Sequence, residues 1–586
     1  MRVIVLKFGS SVLRSEADLP RAVHEIYRWL RDGYSVVAVV SAFGKTTDQL
    51  LASAHEYSEQ PPEGALALLL STGEKRAAAL LALALDRAGI PASAFDPSRL
   101  GLRTSGRVLN AEPVRLNVGA IRKALDNSRV AVVPGFIGQM QDGRTSLLGR
   151  GGSDLSALFL AVHLRGRCRL LKDVDGVYDH DPHVSTARCY ESLTWEDALA
   201  IGGRIIQQKA LRFAREHGQS FEVAALAAEQ ATIIGADSTR FFPTRAKRDR
   251  LRVALLGLGT VGYGVYQELA AQSELFNVVG IAVRSLHRPE QKVPQCLLST
   301  DVWDVVNRDC DIVIEALGGL QPAADCIRAA LVAGKHVVTA NKAALANHPH
   351  LREIARASGA QLLCSAAVGG AVPVLETFQR LAGEQDIVSV EGVLNGTTNF
   401  ILNEIARGIP FDHAVAQAQT CGLAEADPSA DLDGSDVACK LVLIARSAFG
   451  VDLPFASVHR VGITEVDPRH VFDLSKSGSA VRLVGSLHRE GDRITAEVKP
   501  VVLEAGHPLA NTNREENCVI VKTTAGETHI LQGKGAGRWP TTEAVFADLS
   551  SLVRGRQRVV ESHEQEHSIK IAVAAAVGAG EEALAL

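Results

Sequence analysis

The 586-residue sequence contains nine cysteines, and none of them belongs to a CxxC pair. This scattering argues against a zinc cluster and a disulfide framework and favours a reducing compartment. Long apolar runs are also missing, because charges interrupt the most apolar stretches well before 18 residues, so no membrane span is expected. The opening MRVIVLKFGSSVL lacks the apolar core and cleavage site of a signal peptide, and we therefore expect a cytoplasmic location.

The sequence also lacks an excess of charge of either sign. It has 62 basic and 66 acidic residues and a formal net charge of −4, so electrostatics predict neither a nucleic-acid nor a membrane partner. Hydrophobic residues make up 46% and charged residues 22% of the chain, as in ordinary globular proteins. The length exceeds what one hydrophobic core supports and predicts three or four domains.

Short β-rich runs alternate with helical patterns through two successive parts of the chain. RVIVLKFG, YSVVAVVSA and VAVVPGFIG indicate a mostly parallel α/β sheet in the first part. The basic stretch PTRAKRDR (243–250) is typical of a linker, and LRVALLGLGTVGYGVYQELAAQ then begins a second α/β unit. From about residue 388 the pattern changes. The predicted units are 1–245, 251–387, 388–532, a segment 533–560 that returns to the second unit, and a tail 561–586.

The stretch GLGTVG follows an apolar strand and opens a helix, with Gly257, Gly259 and Gly262 in G-x-G-x-x-G spacing. In that context the glycines permit a tight turn, close approach of a pyrophosphate and close helix–strand packing. We therefore predict a Rossmann domain that binds a dinucleotide, against the alternative of a turn that merely packs.

The strand VVGIAVR ends at Arg284, about 20 residues after this turn. An acidic residue there would hold the 2′-hydroxyl of NAD, whereas an arginine suits the 2′-phosphate of NADP. His287 and Arg288 add positive charge nearby. The sequence predicts NADP(H) in preference to NAD(H).

The stretch GLAEADPSADLDGSDVACKL (422–441) places five carboxylates before one basic residue, Lys440. One interpretation is an acidic loop with a solvated lysine at a helix start. The other is a site where carboxylates hold a cationic substrate and one ammonium performs proton chemistry. A second lysine, Lys342, ends the strand of VTANK, near the sheet edge where open α/β folds bind ligands.

Five motifs resemble those of homoserine dehydrogenases, in that family's order, between about residues 251 and 557: TANK, AAVGGAVPV, GVLNGTTNFIL, GLAEADPSADLDGSDVACKL and GKGAGRWPTTEAVFADL. The resemblance implies reduction of L-aspartate 4-semialdehyde to L-homoserine by NAD(P)H. It also implies an α+β domain, inserted in the Rossmann unit, that binds substrate and forms a homodimer or higher homo-oligomer.

The same resemblance implies residue roles. Lys440 would be the general acid, with Lys342 assisting, and Asp436 would serve both catalysis and substrate binding together with Glu425 and Asp431. The implied cofactor contacts are Gly257, Gly259, Thr260, Val261, Gly262, Arg284, Lys342, Gly422 and Gly537. A monovalent cation would be bound by backbone carbonyls at Val368 and Gly370, with Ser365 standing where a glutamate is typical.

Four motifs in the first 240 residues are similar to those of aspartate kinases: KFGSSV, STGEKRAAALLA, GRGGSDLSA and KDVDGVYDHDP. The resemblance implies an amino-acid-kinase-like α/β domain that phosphorylates L-aspartate with ATP and Mg²⁺. Such a reaction needs cationic and backbone donors around the transferred phosphoryl group. The matched candidates are Lys7, Ser11, Glu74, Ser153, Asp154, Asp173 and Asp181.

The kinase motifs depart from that family at several positions. Ser10 and Val12 replace glycine and serine, and Arg204 with a following glutamine pair replaces lysine and His-Pro. Arginine keeps the charge of lysine but not its geometry. Three hypotheses therefore stay open for this domain: an active aspartate kinase, a catalytically silent scaffold for assembly, and a kinase for another amino acid.

We predict that threonine does not regulate this protein. Fused kinase–dehydrogenases of this family commonly carry paired ACT domains between the two enzymes, where threonine binds. The kinase-like motifs run to GGRIIQQKALRFAREHG, which ends at Gly218, so only residues 219–250 precede the Rossmann strand. So short a segment cannot form a core of its own. Millimolar threonine should leave both activities largely unchanged, apart from weak competition with homoserine. Cooperative inhibition that is not competitive with homoserine, measured in steady-state assays, would contradict this.

Overall fold

The computed structural model describes residues 1–182, 184, 187–201, 206–243, 250–286, 292–382, 386–491 and 493–554. Arg204, His287, Arg288, most of the predicted linker and the tail 561–586 therefore lie outside the described residues. Among the described residues, no helix is long and apolar enough to cross a membrane.

The first unit has thirteen strands and eight helices within the described residues. The strands are β1 Arg2–Phe8, β2 Tyr34–Val40, β3 Ser93–Ala94, β4 Arg103–Arg107, β5 Asn110–Arg115, β6 Val130–Pro134, β7 Ile137–Gln139, β8 Thr145–Leu147, β9 Arg167–Lys172, β10 Tyr190–Leu193, β11 Phe221–Ala225, β12 Thr232–Ile234 and β13 Arg240–Phe241. The helices are α1 Leu19–Arg31, α2 Thr46–Tyr57, α3 Glu63–Arg87, α4 Pro97–Leu100, α5 Val118–Ser128, α6 Gly152–Leu164, α7 Trp195–Ile201 and α8 Gln208–Glu216.

Nine of these strands form one sheet, in the order β13-β10-β12-β11-β9-β1-β2-β6-β3, and β5-β4-β7-β8 form a smaller one. The central strands β9, β1, β2 and β6 are parallel. Their near-continuous apolar sequences are those of strands covered by helices on both faces, and two buried clusters lie on the two sides. Because β1 and β9 are parallel neighbours, Lys7 and Lys172 reach the same edge of the sheet.

The second unit is a six-stranded parallel sheet with the order β16-β15-β14-β17-β18-β19. Its strands are β14 Leu251–Leu256, β15 Phe276–Ala282, β16 Leu298–Ser299, β17 Ile312–Glu315, β18 His336–Thr339 and β19 Leu362–Leu363. Its helices are α9 Thr260–Ala271, α10 Val302–Asn307, α11 Ala323–Val332, α12 Lys342–Asn347, α13 Leu351–Ala357 and α14 Val374–Ala382. The strand order reverses at β14, which is where open α/β sheets bind ligands.

The third unit is a six-stranded sheet in the order β21-β23-β22-β20-β24-β25, antiparallel except for the β21–β23 pair. The strands are β20 Ile387–Val393, β21 His459–Arg460, β22 Ala480–Glu490, β23 Arg493–Leu503, β24 Glu516–Thr523 and β25 Thr528–Lys534. The helices are α15 Gly396–Ala406, α16 Phe411–Thr420, α17 Ser429–Leu432, α18 Ser435–Phe449 and α19 Pro468–Lys476.

After β25 the chain returns to the second unit as helix 538–554. A Cβ at Gly264 of α9 would lie 2.4 Å from Thr542 Oγ1, so α9 and helix 538–554 are in close contact. The mixed α/β architecture that the sequence predicts is therefore confirmed, with a kinase-like unit followed by an α/β unit that an α+β unit interrupts.

Candidate active sites

Asp436 is the centre of a buried cluster between the second and third units. It lies in the first turn of α18 and contacts two lysines: Lys440 Nζ is 2.8 Å from its Oδ2, and Lys342 Nζ is 2.6 Å from its Oδ1. Lys440 is one helical turn further along α18, which places both groups on the same face. Lys342 comes from the start of α12, directly after β18. The structure thus brings together three residues that the sequence analysis assigned to catalysis.

A fourth residue, Asn395, joins this cluster and was missed by the sequence analysis. Its Oδ1 accepts a hydrogen bond from Thr398 N at 2.8 Å and caps α15, while its Nδ2 donates to Asp431 and Asp436 at 2.6 and 2.9 Å. The side chain is therefore held by the helix cap and aimed at the carboxylates. Asparagine directly before Gly-Thr-Thr is a typical helix-capping signal, and it could have indicated this position.

The charges of the cluster shift one another's pKa values. Burial lowers the pKa of Lys440 below its ordinary value and the nearby Lys342 acts in the same direction, although Asp436 opposes both. Burial alone would raise the pKa of Asp436, but the two lysines outweigh it and hold that pKa below the usual range. Asp436 raises the pKa of Lys342, whose side chain is 41% exposed. At neutral pH Asp436 is therefore an anion, and Lys440 gives up its proton more readily than a free lysine.

The GLGTVG turn has the geometry of a dinucleotide cradle. Gly257 has φ +101°, and a Cβ there would lie 2.5 Å from Ala316 O; a Cβ at Gly262 would lie 2.0 Å from Gly257 O. Above Gly259, by contrast, a Cβ would meet nothing within 4 Å. The turn is closed by packing on two sides and open at its second glycine, where a pyrophosphate would approach. Thr260 and Val261 begin α9 behind it, and a cofactor fits this arrangement.

The remaining predicted positions of the dehydrogenase lie on turns and exposed segments. Arg284 is exposed just beyond β15, and Gly537, with φ +114°, precedes helix 538–554. Gly422 lies exposed at the end of α16. Glu425 is exposed too, and the contacts that the structure describes around Asp436 do not include it. Their assigned roles stay predictions.

The loop predicted to hold a cation begins at Ser365. Asp548 accepts hydrogen bonds from Ser365 N and Oγ at 2.9 and 2.7 Å, and its Oδ1 is also 2.8 Å from Arg31 Nη2. The carboxylate of Asp548, which contacts this loop, is thus already paired with the guanidinium of Arg31. A cation bound here would therefore depend on the backbone carbonyls of Val368 and Gly370. The cation stays a prediction.

A second carboxylate holds two lysines in the first unit. Asp154, in the first turn of α6, has its Oδ1 2.7 Å from Lys7 Nζ and its Oδ2 2.9 Å from Lys172 Nζ. Lys7 is only 6% exposed and Asp154 4%. Lys7 and Asp154 were predicted from the sequence, whereas Lys172 was missed, although it ends an apolar run and is the first residue of the motif KDVDGVYDHDP.

Lys7 and Asp154 border an open cavity of about 460 Å³, whose lining also includes Ser10, Glu74, Arg150 and Ser153. Gly151 and Gly152 also line it, where α6 begins with backbone N–H groups that suit an anion. Burial raises the pKa of Glu74 to about 7. Of the other candidates, Ser11 lies on the exposed turn after β1, and Asp173 and Asp181 are exposed beyond β9.

The fold and these sites define an NAD-binding α/β oxidoreductase with an amino acid kinase unit before it. Residues 257–365 match the family model described as homoserine dehydrogenase, NAD binding domain, residues 373–550 match that of homoserine dehydrogenase, and residues 2–224 match the amino acid kinase family. These matches confirm the fusion that the sequence motifs predict.

Curated relatives agree with the match. The homoserine dehydrogenase of Synechocystis sp. is 36% identical over 317 residues, 52% of this chain and 73% of that protein. That of Corynebacterium glutamicum is 36% identical over 338 residues, 55% of this chain and 76% of that protein. A crystal structure of a homoserine dehydrogenase from Thiobacillus denitrificans has 35% identity and a TM-score of 0.51 and covers 53% of this chain and 74% of its own. The chain belongs to the homoserine dehydrogenase family.

Proposed function

We propose that the Asp436 cluster is the site where aspartate 4-semialdehyde is reduced to homoserine. The observation that carries this proposal is the pair of lysines held by one buried carboxylate. One of them, Lys342, follows a strand of the parallel sheet whose β14 ends at the turn that fits a dinucleotide. NAD(P)H, when bound, supplies the hydride. Gly257, Gly259 and Gly262 would hold its pyrophosphate and Gly537 would border it, with NADP(H) favoured because Arg284 follows β15.

In this proposal Lys440 protonates the carbonyl oxygen of the aldehyde as the hydride arrives, and it removes that proton in the reverse direction. Its lowered pKa suits the task, because a proton donor works best when its pKa is close to the operating pH. Asp436 keeps the two ammonium groups in place, and Lys342, which is partly exposed, reaches the substrate. Asp431 and Glu425 would contribute negative charge toward the substrate's α-ammonium.

We propose that the first unit is an aspartate kinase. The cavity lined by Lys7 offers a cation, a glycine-rich helix start and the buried Glu74, and Lys172 contacts the second oxygen of Asp154 behind it. This set suits an ATP phosphate with its Mg²⁺ and a small amino acid. Lys172 would supply a second positive charge at the transferred phosphoryl group. A silent scaffold and a kinase for another amino acid are the alternatives. Assembly as a homodimer and a cytoplasmic location also stay predictions.

Replacing Lys440 tests the dehydrogenase mechanism. Lys440→Ala should retain NADPH binding while kcat falls by on the order of 10²–10⁴. In the unmodified protein the reduction should slow as pH rises through the lowered pKa of Lys440, because the protonated form is the donor, and homoserine oxidation should quicken over the same range. Lys476→Ala, an exposed lysine on α19 of the same unit, is the matched control. A decrease of less than threefold would remove Lys440 from the mechanism.

The choice of cofactor depends on Arg284 in this proposal. The value of kcat/KM should be higher with NADPH than with NADH, and Arg284→Ala should reduce that preference roughly tenfold, since a hydrogen bond to a charged group contributes about 1.5 kcal/mol. Arg328→Ala, an exposed arginine on α11, serves as control. Equal or better use of NADH by the unmodified protein would defeat the assignment.

An assay of aspartate-dependent ADP release on the full chain tests the kinase. We expect release with ATP–Mg²⁺, and a decrease of on the order of 10²–10³ in Lys7→Ala and in Lys172→Ala, because each removes one charge from the phosphoryl site. Arg144→Gln, an exposed arginine of the same unit, is the control. ATP binding without ADP release for any amino acid would support the scaffold, and release with a different amino acid would identify the third alternative.

A further inference from the structure

Helix α1 of the kinase-like unit presents two cationic side chains to the dehydrogenase. His24 and Arg31 are seven residues apart, or two helical turns, so they lie on one face of α1. Both are largely buried, with side chains 15% and 11% exposed. Their partners all belong to the second unit or to helix 538–554, which returns to it, so this face of α1 is an interface within the chain.

His24 contacts both α9 and helix 538–554, which pack against each other. Its Nδ1 is 2.6 Å from Glu543 on helix 538–554 and its Nε2 is 3.3 Å from Glu268 on α9. Its ring stacks on Phe546 with the centroids 4.8 Å apart. Burial alone would lower the pKa of His24, but the two carboxylates outweigh it and raise that pKa to about 10. His24 is therefore a cation at neutral pH, held between two anions.

Arg31 connects helix 538–554 to the loop that begins at Ser365. Its Nη2 lies 2.8 Å from Asp548 Oδ1, 2.8 Å from Glu376 Oε1 and 3.2 Å from Ser365 Oγ. Asp548 is on helix 538–554, while Ser365 and Glu376 lie on either side of the loop that contains Gly370. A Cβ at Gly370 would lie 2.8 Å from Gly535, so this loop packs against the segment that carries Gly537.

The elements held by His24 and Arg31 are those that carry the glycine turns. Helix α9 starts at the GLGTVG turn, and helix 538–554 starts immediately after Gly537. The apolar contacts are continuous as well, because Ala371 and Ala547 belong to the same buried cluster as the inner face of α1. Buried charges of this kind have strict geometric requirements, since removing one partner leaves the other charged and unsolvated.

We propose that the kinase-like domain has a second role, in which His24 and Arg31 are positioning residues for the dehydrogenase. They hold α9, helix 538–554 and the Ser365 loop in the arrangement that binds the dinucleotide, and this inference rests on the proposed assignment of the two glycine turns to the cofactor. The dehydrogenase of this chain then depends on the domain before it, whether or not that domain transfers phosphate.

Titration of the full-length protein with NADPH, followed by the cofactor's fluorescence, tests the proposal. If His24→Gln or Arg31→Gln lowers the population of the binding-competent arrangement to about a tenth, Kd for NADPH rises roughly tenfold. The KM for homoserine should change much less than the KM for NADP⁺, and Arg31→Lys, which keeps the charge, should recover part of the affinity. A general loss of folding would instead impair every parameter and lower the melting temperature together.

Two further variants separate the possible outcomes. Arg144→Gln, whose exposed ion pair with Asp142 lies in the same domain as α1, should leave NADPH binding unchanged. Gly259→Val places a side chain in the open space above the turn and tests the assignment of the cofactor turn itself. If Gly259→Val weakens binding while His24→Gln and Arg31→Gln stay within twofold of the unmodified protein, the positioning role is wrong. If Gly259→Val leaves NADPH binding unchanged, the assignment of the GLGTVG turn to the cofactor is wrong.

Discussion

The buried carboxylate of Asp436 keeps two lysine ammonium groups within 3 Å of it, that of the buried Lys440 and that of Lys342, whose side chain is 41% exposed. Two positive charges this close repel each other, and burial penalises both, so the arrangement exists only because an anion lies between them. Asn395 provides a further constraint, since its amide is fixed by the cap of α15 and donates to the same carboxylate, and Lys440 Nζ also donates to the carbonyl of Leu394. Lys342 comes from the second unit and Lys440 from the third. The shared carboxylate of Asp436 holds the two side chains next to each other.

The kinase-like unit repeats this physical arrangement with unrelated elements. Asp154 at the start of α6 is shared by Lys7 and Lys172, from two neighbouring parallel strands. Burial would raise the pKa of Asp154, but the two lysines hold it below its ordinary value. Burial in turn lowers the pKa of Lys7. In both sites a buried anion holds two cations in place, and preorganised positive groups of this kind stabilise negative charge that develops on oxygen.

The kinase-like unit and the dehydrogenase are also joined by ion pairs. His24 and Arg31 each lie between two carboxylates of the dehydrogenase, and Lys534 N donates to Gly89 O at 3.0 Å at a separate point of the interface. An interface with this many buried ionic groups differs from a flexible tether between independent domains, where few contacts cross. The kinase-like unit and the dehydrogenase are therefore packed against each other through a specific interface.

Much of this was predictable from local sequence. The continuous apolar strands predicted a buried parallel sheet, and the glycine spacing after LRVALL predicted the dinucleotide turn, because both depend on residues within one strand–turn–helix unit. The i, i+4 spacing of Asp436 and Lys440 likewise brought them to one face of α18. Motif resemblance added Lys342, whose distance along the chain from Asp436 gives no hint of contact.

The sequence by itself thus determined the strands, the glycine turns and the chemical types of the site residues, since backbone sterics and helical periodicity act over a few residues. Only the tertiary structure decided which charges share a carboxylate. Asn395 and Lys172 carry local signals, a helix cap and a strand end, but the sequence does not show that each contacts a buried carboxylate on another element. The same holds for the contacts of His24 and Arg31 with a helix more than 500 residues away, because such pairings depend on how separate elements pack. The sequence does not distinguish a lysine or arginine on the surface from a buried one. Burial sets the energetic consequence of each charge, and it is decided only when the units pack together.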